Sequence, residues 1–140
     1  MTVGRRVLVV DDEADIRDLA SALLRRDGHQ VSTADSGAEA IRQVIETKFD
    51  LILLDINMPG QDGWQTLRQL KADEATAATP VALFTVRAEI RDKTHGLQYG
   101  AVDYIVKTRL VADLGPRVRA ILAQAEVAAS SPRGWAGGAP

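Results

Sequence analysis

The feature that most confines the fold is a hydrophobic period that keeps switching between two values. Residues 7–10 (VLVV) form a short unbroken apolar run, as a strand buried on both faces requires. Beyond it Ile16, Leu19, Ala20, Leu23 and Leu24 fall at i, i+3, i+4, i+7 and i+8, one apolar stripe on a helix. Gly28 stands where a left-handed cap would end that helix. Residues 30–34 alternate and suit a second strand. Ser36 is placed to cap a helix carrying Ile41, Val44 and Ile45, with Glu39 completing a capping box.

The alternation continues. Residues 51–54 (LILL) are the next apolar run, ending at Asp55. A loop from Asn57 to Gly63 follows, broken by Pro59, Gly60 and Gly63, and then Trp64, Leu67 and Leu70 mark a third helix. Residues 81–84 give a fourth strand ending at Thr85. The helix expected over about 88–99 has only Ile90 and Leu97 as strong anchors and should be the least firmly held element. Residues 102–106 give a fifth strand ending at Lys107, and Val118, Ile121, Leu122 and Ala125 a last helix. Five strand–helix alternations predict a three-layer α/β fold, a parallel sheet with helices on both faces.

Composition narrows the function. At 140 residues, one domain is expected. A net charge of −2 argues against general binding to nucleic acid or an anionic membrane. The lack of cysteine excludes a disulfide scaffold, a thiolate metal site and cysteine catalysis, and aromatics at 4% are too few for a stacking surface. No apolar run reaches secretory or membrane-spanning length, so a cytoplasmic location is expected. The domain is expected over residues 1–129. Residues 130–140, rich in Gly, Ala and Pro, read as a flexible tail, which either ends a chain that signals alone by protein contact or leads on to a further domain. No DNA-binding or catalytic output domain is read within the chain.

Chemistry concentrates where the strands end. Open parallel sheets bind ligands outside the carboxyl ends of their strands. Here those ends carry Asp11 and Asp12, Asp55, Thr85 and Lys107, spread along the chain but convergent in such a sheet. Clustered carboxylates need a counter-charge. Hard oxygen ligands favour Mg²⁺, which takes one or two carboxylates and leaves another free to attack phosphorus. Phosphoryl transfer needs positioning and neutralised oxygens, which a metal and a lysine supply. The set reads as a self-phosphorylating aspartate site.

Residues 7–12 (VLVVDD), 51–63 (LILLDINMPGQDG), Thr85 and 104–107 (YIVK) resemble the receiver domain of two-component response regulators, and the resemblance covers roughly residues 5–129. It implies a flavodoxin-like sheet of strand order 2-1-3-4-5. It implies Asp55 as phosphoacceptor, Asp12 and the Asn57 carbonyl as Mg²⁺ ligands beside Asp55, and Asp11 acting mostly through a metal-bound water. Thr85 and Tyr104 would be a switch pair, the ring turning inward, and Lys107 would contact a phosphoryl oxygen. The implied donor is a sensor histidine kinase or histidine phosphotransfer protein. The implied output is a shift around the fourth helix and fifth strand that a downstream protein reads. A homodimer through the fourth helix, fifth strand and fifth helix is implied as an option.

Each residue alone has a plainer explanation. Asp11 and Asp12 would cap the first helix, Asp55 would be a turn residue, Thr85 a β-former and Lys107 a solvated lysine. Their joint placement favours a site. Trp64 and Met58 read as packing residues, His29 and His95 as surface or satisfied histidines, and Arg5–Arg6 and Arg25–Arg26 as solvated pairs. A phosphatase with an aspartyl-phosphate intermediate would need an acid where Asn57 stands. A flavin site would need donors, not carboxylates, after the first strand.

Three positions depart from the receiver pattern. Thr108 replaces the usual proline, so a trans bond after Lys107 and an altered loop are expected. That loop is the main support for a rival, a degenerate receiver that binds a partner without being phosphorylated. Gly115 and Pro116 predict an irregular or short helical segment over 110–114 and a regular helix from about Pro116, which would rebuild the dimer surface. Val86 stands where a small residue is usual and, with Arg87 beside it, should narrow access to the phosphoryl site.

Overall fold

The computed structural model describes residues 4–58, 63–86 and 97–130. Strands β1 (Arg6–Val10), β2 (Gln30–Ala34), β3 (Leu51–Asp55), β4 (Val81–Thr85) and β5 (Asp103–Val106) form one parallel sheet in the order β2-β1-β3-β4-β5. Helices α1 (Ala14–Arg26), α2 (Gly37–Glu46) and α3 (Gly63–Ala72) and a C-terminal helix (Leu110–Ser130) cover it. The helix expected over about 88–99 lies mostly outside the described residues, as do Pro59, Gly60, Arg87 and His95.

The strand period of two divides the core. Val7, Val9, Leu51, Leu53, Ala82, Phe84 and Ile105 face α1 and the C-terminal helix. Leu8, Val10, Ile52, Leu54, Val81, Leu83 and Tyr104 face α2 and α3. Every residue of β3 and β4 is buried, which is why those strands read as continuous apolar runs. The edge strand β2 buries only Ala34 fully, hence its alternating composition.

Local signals act largely as expected. Gly28 sits at φ 91°, and its N–H and that of His29 close the last turn of α1 onto the Arg25 and Leu24 carbonyls. Ser36 Oγ accepts from Glu39 N at 3.1 Å, but the Glu39 carboxylate turns to Arg42 instead of completing the capping box. Met58 is buried and Trp64 partly so, both packed in the core. His29 is buried, its Nδ1 accepting from Arg5 N at 3.2 Å. Arg5 is not simply solvated: it pairs with Glu126 on the C-terminal helix. No described helix is long and apolar enough to cross a membrane.

The expected break before Pro116 is overturned. The C-terminal helix runs unbroken over 21 residues with Pro116 inside it, preceded by one 3₁₀ turn, Lys107–Arg109. Proline removes one helical hydrogen bond. Against that loss, Leu110, Leu114, Val118, Ile121 and Leu122 form one buried stripe spanning the proline, so both halves are held in the same helical register. Gly115 contributes by allowing close approach: a Cβ there would lie 3.0 Å from Asp27 Oδ2, which pairs with Arg119 at 3.3 Å.

Candidate functional site

Strand register sets the site. Val10 lies opposite Leu54, so Asp11 follows β1 beside Asp55 at the end of β3. Thr85 lies opposite Val106, so Lys107 follows directly. Asp11, Asp12, Asp55, Thr85 and Lys107 therefore meet at one rim, whereas Tyr104 lies further back on β5, opposite Leu83. Carboxylate oxygens of Asp11, Asp12 and Asp55 lie within 4.8 Å of one another, Asp11 and Asp55 buried and Asp12 exposed. Thr85 is 1% exposed and Tyr104 is buried, its ring packed among the apolar residues facing α2 and α3.

Lys107 enters this cluster from β5. Its Nζ donates to Asp55 Oδ2 at 3.1 Å and to Glu13 Oε1 at 3.1 Å. It also lies 2.8 Å from Asp11 Oδ2 as an ion pair outside hydrogen-bonding angles. No described peptide bond is cis, the one after Lys107 included, and the 3₁₀ turn there leaves the ammonium on target. Burial works against the Lys107 charge, but its contacts with Asp11, Asp55 and Glu13 outweigh that and hold its pKa above the ordinary amine range. Burial pushes the Asp55 carboxyl up to about 6; the Asn57 amide and Lys107 pull it down, and Asp11 pushes it further up.

Backbone contacts fix the carboxylates. Asn57 N donates to Asp55 Oδ1 at 2.9 Å and Glu13 N to Asp11 Oδ1 at 2.9 Å, while Glu13, and neither Asp11 nor Asp12, stands at the N-cap of α1. Gly63 opens α3 so close to β3 that a Cβ would fall 2.2 Å from the Asp55 carbonyl oxygen. Only glycine permits that approach.

The cluster suits a divalent cation. Its donors are hard oxygens, and buried Asp11 Oδ2 has no hydrogen-bond donor aligned on it. Two participants escaped the sequence reading. Glu13 reaches Lys107, and Arg17 Nη1 donates to the Asp11 carbonyl at 2.8 Å. The acidic run Asp11–Asp12–Glu13 was the available signal for Glu13. Nothing in the sequence marks Arg17.

Comparison with known proteins agrees with this geometry. Residues 7–119 match the response regulator receiver domain. The chain is 43% identical over 126 residues to the transcriptional regulatory protein PrrA of Mycobacterium leprae, covering 90% of this chain and 53% of that protein. It is 38% identical over 120 residues to the phosphate regulon transcriptional regulatory protein PhoB of Pseudomonas aeruginosa, covering 86% and 52%. The chain thus spans about half the length of these relatives. Among solved structures, the CheY-like response regulator receiver domain protein of Methanospirillum hungatei superposes with a TM-score of 0.80 at 26% identity, covering 89% of this chain and 98% of that one. The chemotaxis response regulator CheY4 of Vibrio cholerae gives 0.75 at 27% identity, covering 86% and 99%. A receiver is a phosphoacceptor signalling module rather than an enzyme, and on this match the chain belongs to the response regulator receiver family of two-component systems.

Proposed function

We propose that Asp55 accepts a phosphoryl group from the phosphohistidine of a sensor histidine kinase or histidine phosphotransfer protein. One arrangement carries this reading: a buried carboxylate with an ammonium 3.1 Å away and two further carboxylates close enough to share a cation with it. Asp55 attacks phosphorus as the bond to the donor imidazole breaks, and the electron pair of that bond returns to the ring nitrogen. With its pKa raised to about 6, Asp55 is still mostly ionised at neutral pH, as a nucleophile must be.

The carboxylates of Asp11, Asp12 and Asp55 and the Asn57 carbonyl would hold Mg²⁺. Once bound, that ion would neutralise the oxygens of the transferring group. Lys107 pairs with one phosphoryl oxygen and the Thr85 hydroxyl donates to another. Tyr104, on the strand beside Thr85, carries the change to the surface around β5 for a downstream protein. Exposed Val102 and Val111 support a self-association face there. The relatives are named as transcriptional regulators; this chain supplies the phosphorylated input, in the cytoplasm. The phosphorylation-independent alternative drew on a displaced lysine, and the placement of Lys107 removes that support.

A small phosphodonor with Mg²⁺ is expected to label the wild type and to leave Asp55→Asn unlabelled, read by intact-protein mass. Label retained by Asp55→Asn would move the acceptor elsewhere. The same assay tests Val86, which is 53% exposed immediately after Thr85. Trimming it to alanine is expected to admit water and shorten the phosphoprotein's half-life several-fold. Equal lifetimes in the two proteins would clear Val86 of that role. Loading and decay are timed separately, because the same side chain also narrows entry for the donor.

A further inference from the structure

One contact of Lys107 takes no part in the phosphoryl transfer. Its ammonium reaches Glu13 as closely as it reaches Asp55, 3.1 Å in each case. The Asp11 and Asp55 side chains are 0% and 1% exposed, whereas that of Glu13 is 56% exposed. Glu13 is therefore the cradle member that stands between the cation and solvent. It occupies the N-cap position of α1 with extended backbone, yet its side chain makes no cap hydrogen bond. Its carboxylate serves Lys107 instead of the helix.

Three carboxylates crowd the ammonium: Asp55 and Glu13 each take one of its hydrogens, and Asp11 lies against it as an ion pair. A phosphoryl group arriving from solvent needs one of those places. Asp11 cannot yield, because no water reaches it to take over its charge. Glu13 can swing outward into water at little cost. Resting on the reading of Asp55 as phosphoacceptor, we infer that Glu13 is a positioning residue, an internal anion that holds the solvent-facing side of Lys107 until a phosphoryl oxygen displaces it. Loading is then an exchange of one anion for another on the same lysine. The exposed charge also opposes an anionic donor at the mouth of the site. Both effects slow loading, and both are spent once the phosphoryl group is in place.

The test uses the full chain with acetyl phosphate at saturating Mg²⁺, comparing wild type, Glu13→Gln and Glu13→Asp. Glu13→Gln is expected to load about fivefold faster, since a neutral amide competes less well for a cation than a carboxylate does. The lifetime of its phosphoprotein should stay close to that of wild type. Mg²⁺ should bind it more weakly by calorimetry, because a nearby negative charge has gone, and its loading rate should depend less on ionic strength. General loosening of the site would instead slow loading along with the weaker metal binding. Glu13→Asp keeps the charge but falls short of Lys107, so its rate should lie between the other two.

Glu13→Gln loading no faster than wild type overturns the inference, as does Glu13→Asp loading as slowly as wild type. A folded wild type that takes no label at all would sink the phosphoacceptor reading instead. A labelled wild type beside an unaccelerated Glu13→Gln sinks the role of Glu13 alone.

Discussion

Replacing Lys107 with methionine is expected to destabilise the metal-free protein by about 3–5 kcal/mol, the usual consequence of removing one partner from a buried ion pair. Methionine keeps most of the side-chain volume, so the loss reports charge and not a cavity. Asp11 and Asp55 would remain at 0% and 1% exposure with Asp12 close by and no cation among them. Two remedies should restore stability. Saturating Mg²⁺ supplies the missing positive charge, and Asp55→Asn in the same chain removes one of the opposing negative ones. Urea unfolding midpoints in chelator and in Mg²⁺ read both. A Lys107→Met midpoint matching wild type in chelator would mean that the ammonium is not the group that neutralises the cluster.

The second large effect concerns Asp55 and pH. Burial raises its carboxyl from 3.8 to about 6 in the native state, so the folded protein prefers the protonated form more than the unfolded chain does. A carboxyl shifted in this direction contributes stability that is complete below about pH 4 and is lost as pH climbs through about 6. The shift corresponds to about 3 kcal/mol by neutral pH. Asparagine does not titrate. In chelator, Asp55→Asn should therefore gain on wild type as pH rises from 4 to 7.5, by about 10 °C in melting temperature for a domain of this size. Mg²⁺ should close most of the gap by stabilising the ionised wild type more than the variant, which keeps Asp11 and Asp12 but lacks the third carboxylate. A difference that stays flat across this range would show that the native carboxyl titrates as freely as the unfolded one.

The rim was legible in the sequence because the strands that build it are buried on both faces. Such strands are written as apolar runs, and in β3 and β4 each run stops abruptly at the residue that carries chemistry, Asp55 or Thr85. What could not be read depends on contacts between distant positions. Glu13 meets Lys107 across 94 residues, and locally it reads only as an acid at a helix start. The start of the C-terminal helix misled for a related reason. Gly115 and Pro116 are local signals against helix, whereas Leu110 and Leu114 favour it through burial against the sheet, and packing outweighed propensity. Arg5 likewise looked solvated because its partner Glu126 lies at the far end of the chain.

The 3₁₀ turn that begins at Lys107 passes without interruption into the C-terminal helix, and the two behave mechanically as one beam about 30 Å or more in length. Near its far end Glu126 grips Arg5, at the entrance to β1, whose exit delivers Asp11. Lys107 and Asp11 are thus joined twice, once directly by charge and once along the helix, the Glu126–Arg5 pair and β1.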